Sequence, residues 1–219
     1  MVIFTDATEL VGMETFFERM HTHPEVMAAV MGKVSDFYYQ LASRFFEQAG
    51  DLIDVFFFGD DFGTQQSLLI SPDHWRRFCR PHIQRFADLG RQAGLKVMFH
   101  SCGAVRPIIG DLCAVGVDAL NPVQVRARGM DLAELKAEFG RRLTFHGGID
   151  HQEVLPRGTA GQVRQEVRRV IDIMAPGGGF CLAPSHDLML DDFPVENVVA
   201  MYDEAADYGR HAHPGAQQK

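Results

Sequence analysis

These 219 residues contain no apolar run approaching the ~20 residues that a bilayer-spanning helix needs. Nor does the N-terminus, MVIFTDATELVG, carry the basic segment and apolar core of a secretory signal. No membrane partner is expected, and the cytoplasm is the default location. Basic charge is also short: 21 Lys and Arg stand against 29 Asp and Glu, a formal net charge of −8. Nucleic-acid binding is disfavoured, because affinity for a phosphate backbone depends on clustered cations. Four cysteines in a chain of this length make no disulfide framework, so each has to be read individually. No G-x-G-x-x-G stands between a strand and its helix, since Gly177-Gly178-Gly179 precedes a strand, and this removes the main signature of a dinucleotide site.

What is present is an alternation. Five short β-rich apolar runs, Leu52 to Phe58, Leu95 to Phe99, Val117 to Leu120, Leu143 to Phe145 and Gly179 to Ala183, are each followed by a polar loop and a segment of helical period. Ser71-Pro72 opens one helix, with Trp75, Phe78, Cys79, His82, Ile83 and Phe86 on its inner face. Asp131 with Glu134 and Thr159 with Gln162 have capping-box spacing. A long helix entered through His23-Pro24 reads as burying Val26, Val30, Val34, Phe37, Leu41 and Phe45. Cys79 and Cys113 fall on apolar helix stripes and read as core. Strands apolar on both faces and alternating with helices mean a parallel sheet.

The fold class is therefore α/β, and a (β/α)8 barrel is preferred over a doubly wound sheet. Five of its eight units are visible, with Val2 to Phe4 as the end of an earlier strand. Residues 1–209 form one incomplete barrel domain, and 210–219 read as a disordered tail. Two free edges and an open interior need covering. A homodimer, or a partner completing the barrel, is expected.

Parallel α/β folds gather their chemistry where strands end. Those positions hold Asp60 and Asp61; His100 and Cys102; Asn121 and Gln124; His146, Gly147, Gly148 and Asp150; and Ser185 and His186. The Asp60-Asp61 pair either binds a cation, acts as acid and base, or hydrogen-bonds loop amides. In extended chain, His100 and Cys102 point the same way and offer two ligands for zinc. Cys181 is a candidate third ligand, with His186 or His146 as substitutes.

The stretches FHSCG, VDALNPVQ with GMDLAELKAEFG, LTFHGGIDHQEVLPRGT, and APGGGFCLAPSHDL with FPVENVVAMYDEA follow one another in an order that resembles the C-terminal half of the uroporphyrinogen decarboxylase superfamily. GDDFGTQQSLLISPDHWRRF is similar to its middle, and the likeness runs from about Leu10 to Gly209. The resemblance implies a (β/α)8 barrel lacking its first strands. It also implies one of two activities, cofactor-free decarboxylation of a porphyrinogen in haem synthesis or zinc-dependent methyl transfer between a corrinoid and a thiol-type acceptor.

His186 and the GGID loop fit both branches, whereas the His-x-Cys pair belongs to the methyltransferase branch, of methylcobamide:coenzyme M type. In that branch a distant cysteine follows an Ala-Pro-Gly turn; here Gly178 takes that place and the cysteine comes at 181. The leading expectation is a zinc methyltransferase using His100, Cys102 and Cys181, with Asp60, Asp61, His146, Asp150 and His186 as catalytic groups. Asn121, Gln124, Gly147, Gly148 and Ser185 would hold a small-molecule or corrinoid substrate, the latter delivered by a corrinoid protein. The alternatives are decarboxylation, with Arg126 or Arg128 holding carboxylates, and a non-catalytic tetrapyrrole-binding subunit.

Overall fold

A computed structural model describes residues 1–187 and 192–212. The chain opens with three helices, α1 (Ile3–Val11), α2 (Met13–Thr22) and α3 (Pro24–Ala49). It then alternates: β1 (Val55–Gly59), α4 (Pro72–Phe78), α5 (Arg80–Gln92), β2 (Lys96–His100), α6 (Arg106–Ala114), β3 (Ala119–Val123) and α7 (Leu132–Phe139). β4 (Thr144–Ile149), α8 (Val154–Arg157), α9 (Ala160–Met174), β5 (Phe180–Pro184) and α10 (Val195–Ala212) complete it.

All five strands are parallel, and their spatial order is their sequence order, β1-β2-β3-β4-β5. A doubly wound sheet reverses direction at a switch point; this sheet does not. Right-handed crossovers without a reversal put every helix on one face, as in a barrel wall. On that face Phe56, Phe58, Val97, Phe99, Leu120 and Phe145 are buried. The other face, the interior of a barrel, is open. Val55, Phe57, Lys96 and Cys181 are exposed on it, and a cleft of about 1010 Å³ runs along it past Met98, Ala119 and Thr144.

Local sequence explains the helix starts. The Ser71 side chain accepts the His74 N–H, Asp131 accepts the Glu134 N–H, and Thr159 with Gln162 forms a complete reciprocal box. The single helix expected after Ser71 is two, broken at Cys79. Pro81 has no N–H to donate back to Arg77, and its ring crowds that carbonyl.

Three further expectations are corrected. Val2 to Phe4 is not a strand end: helix α1 begins at Ile3. Helix α3 forms, but it buries Met27, Met31, Ser35 and Ala42, leaving Val26, Phe37, Leu41 and Phe45 exposed. Helix α10 continues through Ala212, three residues into the expected tail, while residues 213–219 lie outside the described residues. Among the described residues, no helix is long and apolar enough to cross a membrane.

Candidate metal centre

The register of β1 on β2 builds the site. Gly59 pairs with His100 at the last rung of the ladder. The two chains then run on side by side, so that Asp61, two residues past Gly59, reaches Cys102, two residues past His100. Glycines allow this close approach. A Cβ on Gly59 would stand 2.3 Å from the His100 carbonyl oxygen, and one on Gly63 would stand 2.5 Å from that of Cys102. Ser101, fully buried between them, accepts the Phe62 N–H at 3.0 Å. Behind the rim Phe62 packs edge-on against Trp75, ring centres 5.8 Å apart, and anchors the loop.

On this scaffold one oxygen, one nitrogen and one sulfur converge. Ligating atoms of Asp61, His100 and Cys102 all lie within 4.8 Å of one another. Asp61 Oδ1 is 3.3 Å from His100 Nε2 and accepts the Cys102 backbone N–H at 2.9 Å. Cys102 Sγ is 3.6 Å from the same Nε2.

The other ring nitrogen of His100 is held from behind. Its Nδ1 lies 2.7 Å from Asn121 Oδ1 and 2.9 Å from Asp187 Oδ2. Both are acceptors, so Nδ1 carries the proton. Asn121 then turns its Nδ2 to His146 Nδ1, which accepts at 2.8 Å. Carboxylate and amide thus fix the His100 tautomer and aim Nε2 at Asp61 and Cys102, the arrangement found behind metal-bound histidines.

Charge accumulates accordingly. Burial opposes a charge on His100, but hydrogen bonds to Asp61, Cys102 and Asn121 outweigh it and push the imidazole up to about 11. The hydrogen bond from His100 holds the Asp61 carboxyl below its ordinary value, against partial burial. Without a metal, a proton on Nε2 satisfies the acceptors around it. His146 moves the other way, because burial disfavours its charged form.

The remaining expected residues divide. Asp60, beside this group, serves as a helix cap: its buried carboxylate accepts the Phe4 N–H at 2.8 Å and the Thr5 N–H at 2.9 Å at the start of α1. Burial pushes it up to about 6, against the pull of those amides. Gln124 ties loops together, its Oε1 accepting from Gly103 N–H and Gln65 Nε2. Asp150 is buried, caps the turn after β4 through the Gln152 and Glu153 amides, and takes Arg126 Nε at 2.7 Å. Ser185 Oγ lies 2.9 Å from His151 Nδ1, and the His151 ring is 5.0 Å from that of His186.

Gly147 and Gly148 are there for packing. Gly147 has φ 123°, and a Cβ on it would meet the Val123 nitrogen at 2.7 Å; Gly148 has φ 93° and faces Val170 and Phe180.

Cys181 is a correction. It is the second residue of β5, exposed, and paired in the ladder with His146, three strands from His100. At ~4.8 Å per strand it is beyond reach of a shared ion. Asp61 is the third donor that meets His100 and Cys102 instead, and among the described residues neither His146 nor His186 belongs to the group. Asp187, which supports His100, had no part in the expected set, although it directly follows His186 in APSHD.

A singly wound parallel sheet with nitrogen, sulfur and carboxylate donors at its C-terminal rim defines a barrel-type α/β protein. The chain belongs to the uroporphyrinogen decarboxylase (URO-D) family, whose model matches residues 3–208. Among solved structures it is similar in fold to a methyltransferase from Methanosarcina mazei, with a TM-score of 0.77 and 22% sequence identity. That match covers 95% of this chain and 57% of the other. The chain thus spans little more than half the length of that structure. A comparison with curated proteins finds no match.

Proposed function

We propose that this chain carries a zinc-dependent methyl-transfer site, with Asp61, His100 and Cys102 as the protein ligands. The observation that supports it is the convergence of these three donors around one point, with His100 Nδ1 held by Asn121 and Asp187. One sulfur, one nitrogen and one oxygen suit zinc, and three protein ligands leave the fourth position open, as catalytic zinc requires. Zinc bound there would supply a Lewis acid that holds an acceptor thiol as thiolate.

The chain's own residues do the rest. Asn121 and Asp187 keep the proton on Nδ1, so that Nε2 turns its lone pair to the metal. Asp61 binds the Cys102 amide and so fixes the loop that carries the thiol. His146, kept neutral by burial and joined to the site through Asn121, stands where it would orient the acceptor. The methyl donor on this reading is a corrinoid, presented by a corrinoid protein at the open face of the sheet. Resemblance in fold to a methyltransferase and membership of the URO-D family both accord with it.

Decarboxylation is less well supported. Of the two arginines expected to hold a substrate carboxylate, Arg126 is already paired with buried Asp150, while Arg128 is exposed. The test is metal analysis of the purified chain followed by a methyl-transfer assay with methylcobalamin and a small thiol. Zinc near one per chain and transfer lost in Cys102→Ala support the reading; a metal-free chain that takes up no added zinc overturns it.

A further inference from the structure

The chain already holds its nitrogen and sulfur donors at a metal's spacing. Tetrahedral zinc, with bonds of about 2.3 Å to sulfur and about 2.0 Å to nitrogen, separates those two atoms by about 3.5 Å. Cys102 Sγ stands 3.6 Å from His100 Nε2. Asp61 Oδ1, 3.3 Å from the same nitrogen, is close to the ~3.4 Å that a nitrogen and a carboxylate oxygen keep on such an ion. The His100 ring owes its place to Asn121 and Asp187. The thiol needs a restraint of its own, because Cys102 lies past His100, the last residue of β2.

Along β2 the backbone turns alternately to its two neighbours. The His100 carbonyl accepts the Asp60 N–H at 3.0 Å on the β1 side, and the Ser101 N–H goes to the Asn121 carbonyl at 2.8 Å on the β3 side. The alternation runs on past the strand, with side chains in place of carbonyls. Cys102 N–H turns to the β1 side and meets Asp61 Oδ1 at 2.9 Å; Gly103 N–H turns to the β3 side and meets Gln124 Oε1 at 3.1 Å. Cys102 is thus pinned from both flanks. Asp61 is itself a candidate ligand. Gln124 is not: both lone pairs of its Oε1 are taken, by Gly103 N–H and by Gln65 Nε2 at 3.0 Å, and at 5% exposed it has no surface to offer the substrate that the sequence suggested for it. The stretch Asn121-Pro122-Val123-Gln124 therefore holds both donors, the imidazole through Asn121 and the loop of the thiol through Gln124.

We propose that Gln124 is a positioning residue of the metal centre: by accepting the Gly103 N–H it fixes the peptide next to Cys102 and holds Sγ at the separation from His100 Nε2 that zinc requires. The inference rests on the zinc reading and deepens it. Only the acceptor oxygen of Gln124 is used on Gly103. Glutamate can therefore take its place, and an apolar side chain of the same length cannot.

Zinc affinity of the full chain, measured by competition with a chromophoric chelator, tests it. Removing a hydrogen bond behind a metal ligand costs between about tenfold and a hundredfold in affinity, and Gln124→Met should lose that much. Gln124→Glu, which keeps the acceptor, should bind like the wild-type chain. Cobalt placed in the site gives a second readout: the thiolate-to-cobalt absorption should fade in Gln124→Met and persist in Gln124→Glu. Val167→Ala, a cavity under helix α9, controls for lost stability, since it should lower the melting temperature and leave affinity alone. Should Gln124→Met fail to fold, Gln65→Ala serves instead: Gln65 is exposed, and losing its bond to Oε1 frees Gln124 to turn, so affinity should fall several-fold. A wild-type chain that takes up no zinc overturns the zinc reading and this role with it. Zinc bound alike by the wild type and Gln124→Met, lost equally in Gln124→Met and Gln124→Glu, or unchanged in Gln65→Ala overturns the role of Gln124 and leaves the zinc reading standing.

Discussion

If zinc binds as proposed, it competes with a proton for one place: the neighbours of His100 push its imidazole up to about 11, so Nε2 holds a proton at neutral pH. Zinc needs the lone pair on that nitrogen. Binding should therefore release the His100 proton. At pH 7.5, removing the proton from a group that titrates near 11 costs roughly 5 kcal/mol, at 1.36 kcal/mol for each pH unit. Affinity should rise with pH by about tenfold per unit for that proton, between pH 6.5 and pH 7.5.

Calorimetric titration in buffers of different ionisation enthalpy measures the proton count directly. Asp61→Asn removes the hydrogen bond that contributes most to raising His100. The proton should then be held less firmly on His100 and the count at pH 7.5 should fall, while the affinity drops because a ligand is lost. A wild-type count near zero, or an affinity flat across this pH range, would refute the competition.

Two further outcomes concern the frame of the site. Asp60, raised to about 6 by burial, keeps a proton in the folded chain that the unfolded chain gives up near 4. Its stabilising contribution is complete below pH 4 and is lost as pH rises through 6, a decline of roughly 3 kcal/mol by pH 7. Melting curves of Asp60→Asn should lack that component, and parallel pH profiles for the two chains would remove the argument. Gly147→Ala puts a methyl 2.7 Å from the Val123 nitrogen at a φ of 123°. It should cost about 2–3 kcal/mol in urea unfolding, and a loss under 0.5 kcal/mol would show that β3 and β4 have room to part.

The alternation of strands and helices was legible because Phe56, Val97, Leu120 and Phe145 stand among β-formers bounded by glycine and polar loops. Strand ends were less legible. His100, Asn121 and His146 look like loop residues in sequence, yet the ladder carries them as strand. Helix α3 misled because it is apolar on two neighbouring faces, so a 3.6-residue period fits Val26 through Phe45 as well as Met27 through Ala42.

The candidate metal centre shows a sharper limit. His100 and Cys102 are close in sequence and could be paired by spacing. Asp61 joins them only through the pairing of Gly59 with His100, and register is a tertiary fact. The same consideration removes Cys181. Cys181 stands three strands from His100, a separation that its chemistry does not reveal but the strand order does.

X-ray absorption at the zinc edge, with metal content measured on the same sample, tests the central claim most directly. Near-stoichiometric zinc with one sulfur neighbour and the remainder nitrogen and oxygen, unchanged in Cys181→Ser and losing its sulfur in Cys102→Ala, is the result predicted. Two sulfur neighbours, one of them removed by Cys181→Ser, or no zinc bound at all, would contradict it.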